Sequence, residues 1–397
     1  MKKLTAPCHA MFLLGCLALP ASCAEPTPQQ PPGLSVQQGQ LVLHGKPYRG
    51  IGANYYSLFY RTLQNSSDRS YEKQLSRLSK AGIPFVRFMA CGFWPVDWDL
   101  YLQDKDAYFE RLDRVVRCAE KNHIGLIPSL FWHMATVPDI VGEPMDQLGH
   151  ADSKTLAFIR NYTREIVTRY RQSPAVWGWE FGNEYNLHVD LPHASQHLPP
   201  IWPALKTARK RTPRDALSSE AMLTAFGEFA RTVRQYDKHR ILITGNSIPR
   251  PSAYHNSLER TWQRDSREQF RKILLRDNPD PFDVLCVHVY PRANNDYSAH
   301  AKNLPDLIKT LQEISTETEK PLFIGEFGAP STPDTDADRT RFLELVHAIE
   351  AHKVPLSAFW VFDLAAQGKS WNVTFDNERH YMLELVSEAN RRLQSGE

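Results

Sequence analysis

Two apolar, β-forming runs of this sequence end in acid: VWGWEFGNE (Val176–Glu184) and PLFIGEF (Pro321–Phe327). A carboxyl at the end of an otherwise buried strand is costly unless it is paired or chemically employed. Side chains alternate along a strand, so the first run puts Trp177, Trp179 and Phe181 on one face and Gly178, Glu180, Gly182 and Glu184 on the other. The bulky face should pack on helices. The small face and its acids should point inward, with Glu184 at the mouth and Glu180 a layer deeper, where an internal salt bridge is its expected role. In the second run Leu322, Ile324 and Glu326 share a face by the same count. Two carboxyls that meet across a cleft can cleave a glycosidic bond, one donating a proton to the leaving oxygen, the other acting as nucleophile or base. A gap of about 5–5.5 Å gives retention through a glycosyl-enzyme intermediate, and about 6.5–9.5 Å gives inversion.

Other polar or aromatic groups fall at strand ends near these acids: Asn54, Arg87, His133 just past its strand, Asn183, His288, Tyr290 and Trp360. Arg87 and Tyr290 could hold Glu326 ionised by charge and hydrogen bonding, which suits a nucleophile. Glu184, in a more aromatic setting, could keep a raised pKa and serve as general acid/base. Trp360 offers a flat ring on which a sugar could stack, plain packing being the competing reading. A satisfied core group competes likewise for His288 and Tyr290. His188, His193 and His197 share one loop, but no Cys or acid cluster accompanies them and no metal site is expected. The basic run Lys206–Arg214 reads as a solvated loop or helix end.

The elements that must position these groups alternate along the chain. Strands are expected at Tyr48–Tyr56, Pro84–Met89, Gly125–Phe131, Val176–Glu184, Arg240–Asn246, Asp283–Tyr290, Pro321–Phe327 and Leu356–Phe362. Amphipathic helices are expected at Arg69–Ala81, Asp106–Lys121, Ser153–Arg171, Ser218–Tyr236, Glu259–Leu275, Leu304–Thr318, Asp338–His352 and Arg379–Arg392. Eight βα units predict an α/β fold, a single (β/α)8 barrel preceded by a β-hairpin. The competing open, doubly wound sheet lacks its phosphate-binding glycine loop after the first strand. The fourth and seventh strands stand three places apart in such a ring, so their terminal acids can face one another. Tyr185–Leu217 and Ser247–Arg267 are long loops on the C-terminal face, where they would shape a cleft.

The motifs GNE (Gly182–Glu184) and GEFG (Gly325–Gly328), with VRF at Arg87, HVY at His288 and Tyr290, and FW at Trp360, resemble clan A of the glycoside hydrolases, family 5 in particular, over roughly residues 35–393. WEFGNE is similar to the fourth-strand motif of β-mannanases. The resemblance implies a TIM barrel that acts without a cofactor on a β-1,4-linked polysaccharide, mannan first, by double displacement. Under it Glu184 is acid/base and Glu326 nucleophile. Cellulase, β-glucanase or transglycosylase action in the same clan stays open, as does a non-catalytic carbohydrate-binding barrel. A metal-dependent barrel hydrolase would need His-x-His on the first strand, which reads GIGANYY.

Composition sets the remaining bounds. Lys plus Arg total 47 against 45 Asp plus Glu, which gives no electrostatic reason for a nucleic-acid or membrane-surface partner. Residues 1–24 read as a signal peptide: Lys2 and Lys3, an apolar run from Met11 to Leu19, then small residues. LPASC offers the alternative of lipoprotein cleavage before Cys23. Residues 25–33 read as a Pro/Gln-rich tether and residues 34–397 as the catalytic barrel. The protein is expected to be exported, periplasmic or extracellular, and monomeric, with no transmembrane span. Cys91, Cys118 and Cys286 lie beyond the leader. A Cys91–Cys118 bridge and free thiols are both open readings.

Overall fold

The computed structural model describes residues 1, 4, 32–292 and 296–395. The leader, Cys23 and the tether up to Pro31 lie outside them. Three short strands come first: β1 (Leu34–Gln37), β2 (Gln40–Leu43) and β3 (Lys46–Pro47). Positive-φ residues Gln38 and Gly39, then His44 and Gly45, make their two tight antiparallel turns. Eight parallel strands follow: β4 (Gly50–Asn54), β5 (Phe85–Met89), β6 (Gly125–Phe131), β7 (Gly178–Gly182), β8 (Ile241–Ile243), β9 (Leu285–Val289), β10 (Leu322–Phe327) and β11 (Leu356–Phe359). They are hydrogen-bonded in the order β8-β7-β6-β5-β4-β11-β10-β9, the circular order of a (β/α)8 barrel. Each expected strand is present, shortened by zero to three residues at either end.

The ring is ladder-bonded everywhere except between β8 and β9. There the backbone bond from Asp283 N to Leu242 O (3.1 Å) is supplemented by side chains. Leu242 N donates to the Asp283 carboxylate at 2.6 Å. Asn278 accepts from Thr244 Oγ1 and from Cys286 N, both at 2.9 Å, and so bridges the two edges.

Alternation sorts most barrel residues as expected. Trp179, Phe181, Val287 and Val289 join the outer core against the helices, while Phe85, Ile127, Cys286 and Phe323 fill the interior with Leu34 and Leu41 of the hairpin. Trp177 departs from expectation: it belongs to the inner cluster, edge-on to Tyr48 at 5.3 Å. β7 begins only at Gly178, so its pleat does not extend back to Trp177. Gly125, where any Cβ would overlap the indole, clears the space.

The expected helix Glu259–Leu275 is two helices, Ala253–Glu259 and Arg267–Asp277. Arg260 stops the first at φ 56°, and a reciprocal Ser266–Gln269 capping box starts the second. A helix at Ser57–Gln64, unforeseen from sequence, follows β4. Cys91, Cys118 and Cys286 are free thiols. Among the described residues no helix is long and apolar enough to cross a membrane.

Loop Tyr185–Leu217 is held by ions rather than by regular structure. Arg211 makes a bidentate contact with Asp139 (2.7 and 2.8 Å), both side chains almost fully buried. Lys206 pairs with Asp99 and Arg214 with Asp146. The basic run is thus a largely solvated loop, as read from sequence, with Arg211 as its one buried tie.

Candidate active site

Glu184 sits just past β7 in the left-handed region, φ 53°. Its amide donates to Gly245 O at 2.8 Å. Gly245, at φ 76°, approaches so closely that a Cβ would overlap the carbonyl oxygen of Gly182. Only glycine permits that approach, and the result is a carboxyl turned over the barrel mouth with 29% of its side chain exposed.

Glu326 reaches the same mouth by a different device. Leu322 and Ile324 belong to the outer core, so strict alternation would send Glu326 outward with them, contrary to the shared inward face read from sequence. Between Ile324 and Phe327 the pairing with β11 advances three residues against two, a β-bulge. The extra residue turns Glu326 inward. Asn54 pins the bulge by donating to Gly325 O at 2.8 Å.

Arg87 organises the site. Fully buried, it donates from Nε to both oxygens of Glu180 (2.9 and 2.8 Å), from Nη1 to Asn54 (3.0 Å) and Glu326 (2.8 Å), and from Nη2 to Asn183 (2.8 Å). Its guanidinium lies 4.6 Å from the Trp132 ring centroid. Tyr290 OH donates to the other Glu326 oxygen at 2.6 Å. His288 Nδ1 is 2.9 Å from Glu184 and 3.6 Å from Glu326. One oxygen from each of these two acids and a His288 nitrogen all lie within 4.8 Å of one another. That triad of donors could accept a divalent cation, but the Arg87 charge against Glu326 opposes one.

The electrostatics reverse the sequence expectation for the ligand-free site. Burial pushes Glu326 above the ordinary carboxylate range, and His288, Arg87 and Tyr290 offset this only in part. One guanidinium serves two buried carboxylates, so Glu326 receives a share of its charge. Burial also acts to raise Glu184, yet the hydrogen bond and charge of His288, with Arg87, leave it below its ordinary value. Burial and the nearby His188 and Arg211 push His133 down to about 4, so its imidazole is neutral near pH 7.

A cavity of about 630 Å³ runs over both acids, lined by Asn183, Tyr290 and Trp360 together with Tyr56, Trp132 and Trp371. Trp360, just after β11, lies 6.4 Å from Trp132 with the rings nearly parallel. A second cavity of about 200 Å³ shares Asn183, Glu184 and Trp132 and adds His133, His188, His197 and Pro199. Of the nine site residues read from sequence, six line these cavities (Glu184, Glu326, His133, Asn183, Tyr290 and Trp360), while Asn54 and Arg87 stand beneath them as supports and His288 lies buried between the acids. Sequence reading missed Tyr56, Trp132 and Trp371. The first two follow strands directly and could have been found by that rule. Trp371 ends a short helix, Gly368–Trp371, in the segment after β11, and no local signal marks it.

The cellulase (glycosyl hydrolase family 5) family matches residues 46–363. A probable mannan endo-1,4-beta-mannosidase A of Aspergillus flavus is 27% identical over 181 residues, 40% of this chain and 45% of that protein. Mannan endo-1,4-beta-mannosidase F of Aspergillus fumigatus is 28% identical over 154 residues, 34% of each. The chain thus spans less than half the length of these curated relatives. Among solved structures, the endo-1,4-beta-mannanase of Rhizomucor miehei superposes with a TM-score of 0.65 at 18% identity, over 91% of this chain and 99% of that one. The beta-glucanase of Saccharophagus degradans gives 0.56 at 18% identity, over 92% and 98%. At such identities the likeness is one of fold; the extent of the family match carries the assignment, and the chain belongs to glycosyl hydrolase family 5.

Proposed function

We propose that the protein is a retaining hydrolase of β-1,4-linked polysaccharide, mannan first, cutting within the chain. The observation that carries this reading is the pair of carboxyls just past β7 and near the end of β10, one oxygen of each lying within 4.8 Å of the other, a gap that suits the retaining carboxyl separation of about 5–5.5 Å better than the inverting one of about 6.5–9.5 Å. The names of the relatives support mannan as substrate. The beta-glucanase among the structural neighbours keeps β-glucan as the second reading.

In the proposed reaction a Glu326 oxygen attacks the anomeric carbon. The bond to the leaving sugar breaks, its electron pair stays on the leaving oxygen, and Glu184 protonates that oxygen. Glu184 then takes a proton from water, whose oxygen attacks the same carbon and releases Glu326. Two acids this close share a titration. Substrate over the mouth removes water from the half-buried Glu184, whereas Glu326 has little left to lose, at 4% exposed. Binding therefore favours the proton on Glu184, the state the first step needs.

A panel of β-mannans and β-glucans with product-anomer analysis tests the reading; an inverted product would overturn it. Glu326→Gln is expected to lower kcat by about 10³-fold or more. Glu184→Ala should be slow on polysaccharide, with azide rescuing turnover of substrates with good leaving groups. A barrel that only binds carbohydrate would leave an aryl β-glycoside intact. We further propose that residues 1–24 direct export and that residues 25–33 tether a monomeric barrel. Mass analysis of the mature N-terminus distinguishes cleavage after Ala24 from lipidation at Cys23.

A further inference from the structure

Beyond the smaller cavity the described surface carries a half-exposed indole with a fixed backbone. Trp262 is 51% exposed, and its ring centroid lies 6.4 Å from that of His197, which lines the cavity shared with Glu184. Its backbone is not a loose tip. Trp262 O accepts from Ser252 Oγ at 3.0 Å, and Thr261 O accepts from Asn256 Nδ2 at 2.6 Å. Buried Asp265 accepts the amides of Tyr254 and His255. Among the described residues the indole nitrogen has no hydrogen-bond partner. A single exposed apolar ring is ordinary on a protein surface; what sets Trp262 apart from Trp202, which is 55% exposed, is its contact with a residue that lines the cleft. At about 200 Å³ the smaller cavity is below the usual size of a ligand pocket, with room for about one sugar unit. His197 lies on its wall, next to Trp262.

We propose that Trp262 is a stacking platform for sugar units of the β-glycan on the leaving-group side, beyond the unit held next to Glu184. The inference rests on the hydrolase reading above and makes this enzyme selective for long chains on that side. The occupant is the substrate itself, because the ring continues the surface of the cleft through His197 and presents an apolar face with a free N–H to a hydroxyl.

The test measures kcat and KM for soluble galactomannan and for an aryl β-mannoside with wild type, Trp262→Ala, Trp262→Phe and Leu258→Ala. Leu258, near the end of the helix that precedes Trp262, is an exposed apolar control, 65% exposed. Trp262→Ala is expected to raise KM for the polymer about two- to tenfold with kcat and the aryl glycoside unchanged. Trp262→Phe should retain most of the effect and Leu258→Ala should match wild type. An unchanged polymer KM in Trp262→Ala, an equal loss on the aryl glycoside, or an equal effect of Leu258→Ala overturns the proposal while leaving the hydrolase reading intact. Wild-type turnover of the aryl glycoside with no polysaccharide cleaved overturns it together with the polysaccharide reading and leaves only a glycosidase of small substrates. If wild type cleaves neither, both readings fall.

Discussion

At the scale of single residues, the controlling fact is that Arg87 divides its charge between Glu180 and Glu326. Glu326 therefore stays above its ordinary pKa, and catalysis that needs it ionised is lost as pH falls through that raised value. Replacing Glu180 by Gln leaves the guanidinium to Glu326 alone. The acid limb of kcat/KM against pH should then move to lower pH, at a stability cost of about 3 kcal/mol for breaking a buried pair. A limb that stays in place would refute the sharing. Tyr290→Phe removes a donor from the same carboxylate, so the limb should move the opposite way and kcat/KM fall about tenfold or more. The two acids were legible in the sequence because each ends a β-forming run. Their relative pKa directions were not, because these depend on Glu180 and His288 meeting in space.

At the scale of elements, Gly245 and Gly325 make room for the acids and their neighbours, and one ion pair ties down the loop after β7. A Cβ on Gly325 would stand 3.0 Å from His288 Nε2 and 3.3 Å from Cys286 Sγ. Gly325→Ala should therefore displace His288, lowering kcat/KM more than the accompanying loss of about 1–3 kcal/mol in stability would explain. Comparing Tm with kcat/KM separates the two effects. Arg211→Ala leaves Asp139 buried without its partner and should cost about 3–5 kcal/mol in denaturant unfolding, with Tyr185–Leu217 the first segment open to protease. Strand positions were readable from alternation. The bulge that turns Glu326 inward was not, since one inserted residue changes the face without changing the composition of the run.

At the scale of the whole molecule, eight repeated βα units made the barrel readable even where single boundaries erred, because the alternation is redundant. The floor was less legible. Leu34 and Leu41 lie far in sequence from Phe85, Trp177 and Phe323, which they cover. Leu41→Ala should cost about 2–4 kcal/mol while leaving kcat unchanged, since the floor lies at the end of the barrel opposite the acids. The gap in the ladder has a mechanical corollary. Where β8 meets β9, Asn278 and Asp283 act as a clasp on an otherwise laced ring. Parting the edges there ruptures the fewest hydrogen bonds between neighbouring strands, so the amides of Leu242 and Cys286, which are held by the clasp, should lead the other barrel amides in native-state hydrogen exchange. Such an opening would lie on the strand that carries His288, and a bound oligosaccharide should slow the exchange by holding the clasp shut.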